Sequence, residues 1–448
     1  YFVEYVRQKL VEAYGEDRVL RGGLRVHTTL NPEIQAQAYS AVYDTLDGED
    51  DPAGAIVSID REGRVVAMVG GRDWNASKVN LATGEEGGGG GRHGGSAFKP
   101  FVLAEAIRQG LSVDREYFNG ANELELPGWE HPVFNYEGAR YGYLNLVDAT
   151  VNSVNTVYAQ LVNRVGPENV AKLAKDLGIR SELKAVPSIT LGTQNVSVLD
   201  MANAYLTFAN DGVRGEARVI AKVVEGGTVL VDDRPQDRRR VLPRDVAQQV
   251  REILGEVVER GSGANAQLPN GGVWGKTGTS ENYGDAWFVG GNEKLVTAVW
   301  MGYPEGQSRE MRNVQGVFKV AGGTLPSFIF KRFMIEAAPG EGRTDAKPIL
   351  DPRILNGSSS PGDTGPSGFG SDAELDDEFL QPSSPSTTLP AQATQPAVTV
   401  PDPSTEFPDD VDPTPPSPVL TTPSPSVPFS VPGGVNCPRT VTIPGCDD

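Results

Sequence analysis

Strand-forming runs stand in two groups, far apart in this chain. Residues 53–71, AGAIVSIDREGRVVAMVGG, hold two β-rich runs around Asp-Arg-Glu-Gly, a hairpin signal. Three more runs follow only after residue 270: GGVWGKTGTS, DAWFVGG and KLVTAVWMGY. Between them, residues 110–260 are mostly helical in pattern, as in LVDATVNSVNTVYAQLVNRVG, PENVAKLAKDLGI and VLDMANAYLTFAND. An unpaired strand leaves its backbone groups unsatisfied. The order therefore predicts one sheet drawn from both ends, with a helical insertion packed on it, an α+β architecture.

The flanks differ from this body. Residues 2–14, FVEYVRQKLVEAY, have helical spacing, and LRVHTTL at 24–30 alternates like a strand. Asn31-Pro32 supplies an N-cap and a first-turn proline for the helix PEIQAQAYSAVYDTL. Residues 1–50 are read as a linker module, 51–340 as the main domain and 341–448 as a tail. The tail is rich in Pro, Ser and Thr, has few large apolar groups, and is expected to be disordered. It is read as a flexible spacer.

Charge excludes one class of partner. The net charge of −19 argues against nucleic acid. From residue 341 onward sixteen Asp or Glu face four Lys or Arg, so most of the excess lies in the tail. No run of about 18 apolar residues is present. The chain starts at Tyr inside a helical pattern and is read as part of a longer protein, with any anchor or signal upstream. Cys437 and Cys446 either close a small loop in an oxidising compartment or stay as two thiols. With His only at 27, 93 and 131, no metal site is argued, and no cofactor is expected.

Three short patterns bear on chemistry. In GGSAFKPF, Ser96 and Lys99 lie at i and i+3 and share a helix face. Pro100 is tolerated only near a helix start, which places Ser96 close to the positive end of the dipole. One reading is a plain helix start; the other is a nucleophile and its base. A free Lys, with a pKa of about 10.4, is a poor base unless burial and a second cation lower it. Ser153-Val154-Asn155 is either a helix cap or part of a polar site. Lys276-Thr277-Gly278-Thr279 is not a phosphate loop, because Asn270 stands where the upstream Gly is required and β-rich residues follow. On a strand, Lys276 and Gly278 face one way and Thr277 and Thr279 the other, with Gly278 leaving room for a ligand backbone.

The order Ser-x-x-Lys, Ser-x-Asn, Lys-Thr-Gly resembles the motif set of penicillin-binding proteins and class A β-lactamases. With GSAFKPF, SVNTVYAQLVNRVG, LGTQNVSVLDMANAYLTFAND, GKTGTSENYGDAWFVG and GGTLPSFIF, residues 1–340 are similar to the transpeptidase domain of class A, bifunctional penicillin-binding proteins and its upstream linker. The glycosyltransferase domain of that family is absent from this chain. The resemblance implies a penicillin-recognising, β-lactamase-like fold: a five-stranded antiparallel sheet with a helical subdomain. It implies a D,D-transpeptidase that crosslinks peptidoglycan stem peptides and is acylated by β-lactams, at the outer face of a bacterial membrane. Ser96 would be the nucleophile, Lys99 its base, Ser153 the proton relay, Asn155 the holder of Lys99 and substrate amide, and Lys276 the second cation. Thr277 and Thr279 would bind the substrate carboxylate beside Gly278, and the N–H groups of Ser96 and Thr279 would form the oxyanion hole.

Two departures and two rivals stand beside this. Arg92-His93-Gly94-Gly95 replaces the family's frequent Arg-x-Pro-Gly, and with glycines at 87–91 the loop is expected to be loose. His93 offers a Ser-His alternative without an orienting partner. The rivals are a hydrolase, either D,D-carboxypeptidase or β-lactamase, and a non-catalytic sensor or wall-binding module.

Overall fold

In the computed structural model, residues 1–232, 238–339, 350 and 352–357 are described. They fall in one compact unit, Tyr1–Phe369. Its centre is a five-stranded antiparallel sheet of β1 (Ala53–Asp60), β2 (Val65–Val69), β3 (Trp274–Thr279), β4 (Asp285–Gly291) and β5 (Leu295–Gly302). The strand order is β3-β4-β5-β1-β2. The two groups of runs meet where β5 pairs with β1 from Leu295↔Asp60 to Gly302↔Ala53. This is the expected five-stranded α+β architecture.

Both faces of the sheet are covered, which explains why its strands read as near-continuous apolar runs. One face carries Val57, Ile59, Met68, Trp287, Val289 and Trp300 into the larger core. Above it lie α3 (Lys99–Arg108), α4 (Leu146–Val151), α5 (Asn155–Val165), α6 (Val198–Ala209) and α7 (Arg244–Arg260). The other face carries Ile56, Val69, Phe288, Val299 and Met301 against α2 (Pro32–Tyr43) and α8 (Leu325–Ala337).

Local chemistry sets the helix starts. Asn31 Oδ1 accepts from Glu33 N at 3.0 Å and Ile34 N at 3.2 Å, with Pro32 in the first turn of α2. Asn145 caps α4 through Asp148 N, and Ser197 caps α6 through Asp200 N.

Two boundaries differ from expectation. Residues 1–50 do not stand apart: Phe2, Tyr5, Val6 and Leu10 of α1 (Phe2–Tyr14) are buried in the larger core, and Ala38, Ala41 and Val42 of α2 in the smaller one. Arg25–Thr28 adds a strand to Ile220–Glu225. Amphipathic spacing shows that a helix has a buried face but not what covers it. In the stretch expected to be disordered, Pro352–Gly357 is a short helix. Leu355 is buried, and Asn356 Oδ1 accepts from Phe318 N at 2.8 Å. The rest of the tail, with Cys437 and Cys446, lies outside the described residues.

Candidate active site

Ser96 lies in a 3₁₀ turn, Gly95–Phe98, that runs directly into α3. The turn is fixed from several sides. Tyr205 OH donates to Ala97 O at 2.6 Å, and Trp287 Nε1 donates to His93 O at 2.8 Å. Arg92 donates to Tyr303 O and Pro304 O and stacks over Trp300, 4.8 Å from the ring centroid. Next to Ser96 the loop expected to be loose is anchored by these contacts. No hydrogen bond joins His93 to Ser96 among the described residues.

The segment 146–165 reads as one helix in sequence but is two. Between α4 and α5, Ser153 takes φ 55, a left-handed conformation rare for residues with a Cβ. This aims both its carbonyl and its hydroxyl at Lys99. Lys99 Nζ donates to Ser153 O at 2.6 Å, Asn155 Oδ1 at 2.7 Å and Ser153 Oγ at 3.2 Å. Lys276 Nζ donates to the same Ser153 Oγ at 2.8 Å and lies 3.3 Å from Thr277 Oγ1. Two lysine Nζ atoms thus share one hydroxyl.

Neither lysine has an ion-pair partner among the described residues, and both side chains are fully buried. Burial, and secondly the neighbouring Lys276, hold Lys99 well below the ordinary lysine range. Burial alone pushes Lys276 down to about 7. Among the described residues no hydrogen bond joins Lys99 to Ser96; the hydrogen bonds of Lys99 Nζ go to Ser153 and Asn155.

The strand alternation predicted for the third motif is observed. Lys276 and Gly278 pair with Val289 and Trp287 on the helical side, Thr277 and Thr279 with Phe288 and Ala286 on the other. The role expected for Gly278 needs correction. A Cβ there would meet Gly94 O at 2.4 Å, so its space is filled by the Ser96 turn and not held open for a ligand. Gly95, at φ +55, is the reciprocal contact, where a Cβ would sit 2.7 Å from Thr279 N. Edge strand and turn are locked backbone to backbone.

These groups line a cleft of about 880 Å³ that includes Ser96, Ser153, Asn155, Thr277 and Thr279. Three contributors were not found in the sequence. Ser262 shares a 2.8 Å hydrogen bond with Thr277. Tyr158 places its ring 5.2 Å from Lys99 Nζ. The Phe134 carbonyl accepts from Asn155 Nδ2 at 2.9 Å. Tyr158 follows Asn155 by three on one helix and was within reach of spacing arguments. Ser262 and Phe134 arrive from distant segments with no local signal. Among the described residues, no group of three or more His, Cys, Asp or Glu is placed to hold a metal ion.

A sheet covered on both faces, with a buried two-lysine centre at its edge strand, defines the penicillin-recognising class of α+β folds. The model of the penicillin-binding protein transpeptidase domain matches residues 54–319, and the chain belongs to that family. It is 32% identical over 362 residues to penicillin-binding protein 1A of Mycolicibacterium smegmatis, covering 75% of this chain and 44% of that protein. To the protein of that name from Aquifex aeolicus it is 35% identical over 257 residues, covering 56% and 34%. The chain thus spans less than half the length of these relatives. The structure of PonA1 from Mycobacterium tuberculosis in complex with penicillin V is similar, with a TM-score of 0.68 and 30% identity over 78% of this chain and 94% of that one.

Proposed function

We propose that this chain is a D,D-transpeptidase domain working through an acyl-enzyme on Ser96. The observation that carries this reading is the meeting of two buried, carboxylate-free lysines at Ser153. A neutral Lys99 takes the Ser96 proton as Oγ bonds to the penultimate carbonyl carbon of a D-Ala-D-Ala stem. The charge that develops on the carbonyl oxygen falls to the N–H groups of Ser96 and Thr279, each such donor being worth about 10²–10³ in rate. The bond to the terminal D-Ala then breaks, and Ser153 relays the proton held on Lys99 to the leaving amine, which leaves Lys99 neutral again. An amine of a neighbouring stem attacks the ester, forms the crosslink and returns the proton to Ser96. Thr277 and Thr279, on the open edge strand, hold the terminal carboxylate, with Lys276 as the second cation and Asn155 keeping Lys99 in place. A β-lactam would acylate the same serine; the similar PonA1 is in complex with penicillin V.

The place of action would be the outer face of a bacterial membrane. The parent protein would carry an anchor and a glycosyltransferase domain outside this chain. No described helix is long and apolar enough to cross a membrane. The test incubates the chain with a D-Ala-D-Ala donor peptide and an amine acceptor. D-Ala release with crosslinked product supports transfer. Release with free acid only would make the domain a carboxypeptidase.

A further inference from the structure

The wall of the cleft above Asn155 is held from the far side. Segment 134–137 leaves the helical subdomain and reaches the sheet side through Tyr136 and Glu137. Glu137 Oε1 accepts from Lys319 Nζ at 2.6 Å and from Tyr283 OH at 3.0 Å. Tyr136 packs edge-on against Tyr283, with ring centroids 6.0 Å apart, and both rings line the cleft. Glu137, Asn282 and Tyr283 all have left-handed backbones, with φ of 49, 55 and 53. Strain of this kind persists only where the surroundings over-determine it.

The same segment touches the Lys99 site. Phe134 O accepts from Asn155 Nδ2 at 2.9 Å, and Asn135 Oδ1 accepts from Thr156 N at 3.1 Å. An amide has one donor end and one acceptor end. With Nδ2 committed to the Phe134 carbonyl, Oδ1 must face Lys99, where it accepts at 2.7 Å. A turned amide would set Oδ1 against the Phe134 carbonyl, acceptor against acceptor.

We infer that Glu137 is a positioning residue: a strut across the cleft that holds segment 134–137 in place, so that Phe134 fixes the amide of Asn155 towards Lys99. The strut has its own footing. Lys319 ends the hairpin Arg312–Val314/Val317–Lys319, and Asn356 bonds this hairpin at Phe318 N and Gly316 O. The inference rests on the functional reading above.

The experiment measures penicillin acylation against penicillin concentration for the parent, Glu137→Gln, Lys319→Met, Lys319→Arg and Tyr283→Phe. Glu137 and Lys319 are each about one-third exposed or less, so the effect is modest. Glu137→Gln and Lys319→Met are expected to lower the maximal acylation rate roughly three- to tenfold, with the half-saturating concentration little changed. Lys319→Arg restores the parent rate. Tyr283→Phe keeps the ring, protects against a folding artefact, and slows acylation by less. An acylated parent whose variants all react at the parent rate overturns the strut alone. A parent that is never acylated overturns the functional reading and the strut with it.

Discussion

Lys276 carries the plainest thermodynamic signature in the molecule. Its pKa is about 7 in the fold, against an ordinary 10.5. Between these values the unfolded chain binds a proton that the fold does not, so stability rises with pH across that window. Below about 7 both states are protonated and this contribution is flat at its most unfavourable. Lys276→Met removes it. The variant is expected to be more stable than the parent near pH 7 and to lose that advantage as pH approaches 10. Denaturant unfolding across pH checks this. An advantage that does not vary with pH would contradict the buried, unpaired lysine.

At the scale of elements, the break between α4 and α5 separates what the sequence showed from what it did not. Singly the motifs had plain readings as a helix start or a cap; they were legible as a set, through their order and their resemblance to the penicillin-binding proteins. The left-handed turn at Ser153 was not. It is the left-handed cap of α4, with Ser153 N–H on Thr150 O at 3.1 Å and Val154 N–H on Ala149 O at 2.9 Å, and it presents the Ser153 carbonyl to Lys99, 54 residues away. Local propensity in VDATVNSVNTVYAQLV contains no trace of that partner. Glycine pays no penalty at φ 55, whereas alanine does, by about 1–2 kcal/mol per residue. Ser153→Gly should therefore melt higher than Ser153→Ala, although both lose the hydroxyl. Thermal unfolding of the pair decides it; equal values would mean the turn is unstrained. Gly278 carries a similar lesson. Its smallness was legible, but its neighbour, Gly94 O of the Ser96 turn, was not.

For the whole described body, the split sheet was legible because strand runs are strong local signals and unpaired strands are costly. The integration of the first 50 residues was not. A helix that packs on its own domain has the same spacing as one that packs on another. Leu10 is 6% exposed inside the larger core. Leu10→Ala is expected to cost about 2–5 kcal/mol, read as a lower denaturation midpoint of the main transition. A tethered module would leave that transition unmoved.

The central claim is that Ser96 is the nucleophile, activated by Lys99 at a centre built by Ser153, Asn155 and Lys276. The most direct test treats the folded parent, Ser96→Ala and Lys99→Ala with a penicillin and maps the acylated peptide by mass spectrometry. One adduct per chain is expected, on the peptide containing Ser96. No adduct is expected in Ser96→Ala and little in Lys99→Ala. An adduct on another residue, or a folded parent that takes none, would contradict the central claim.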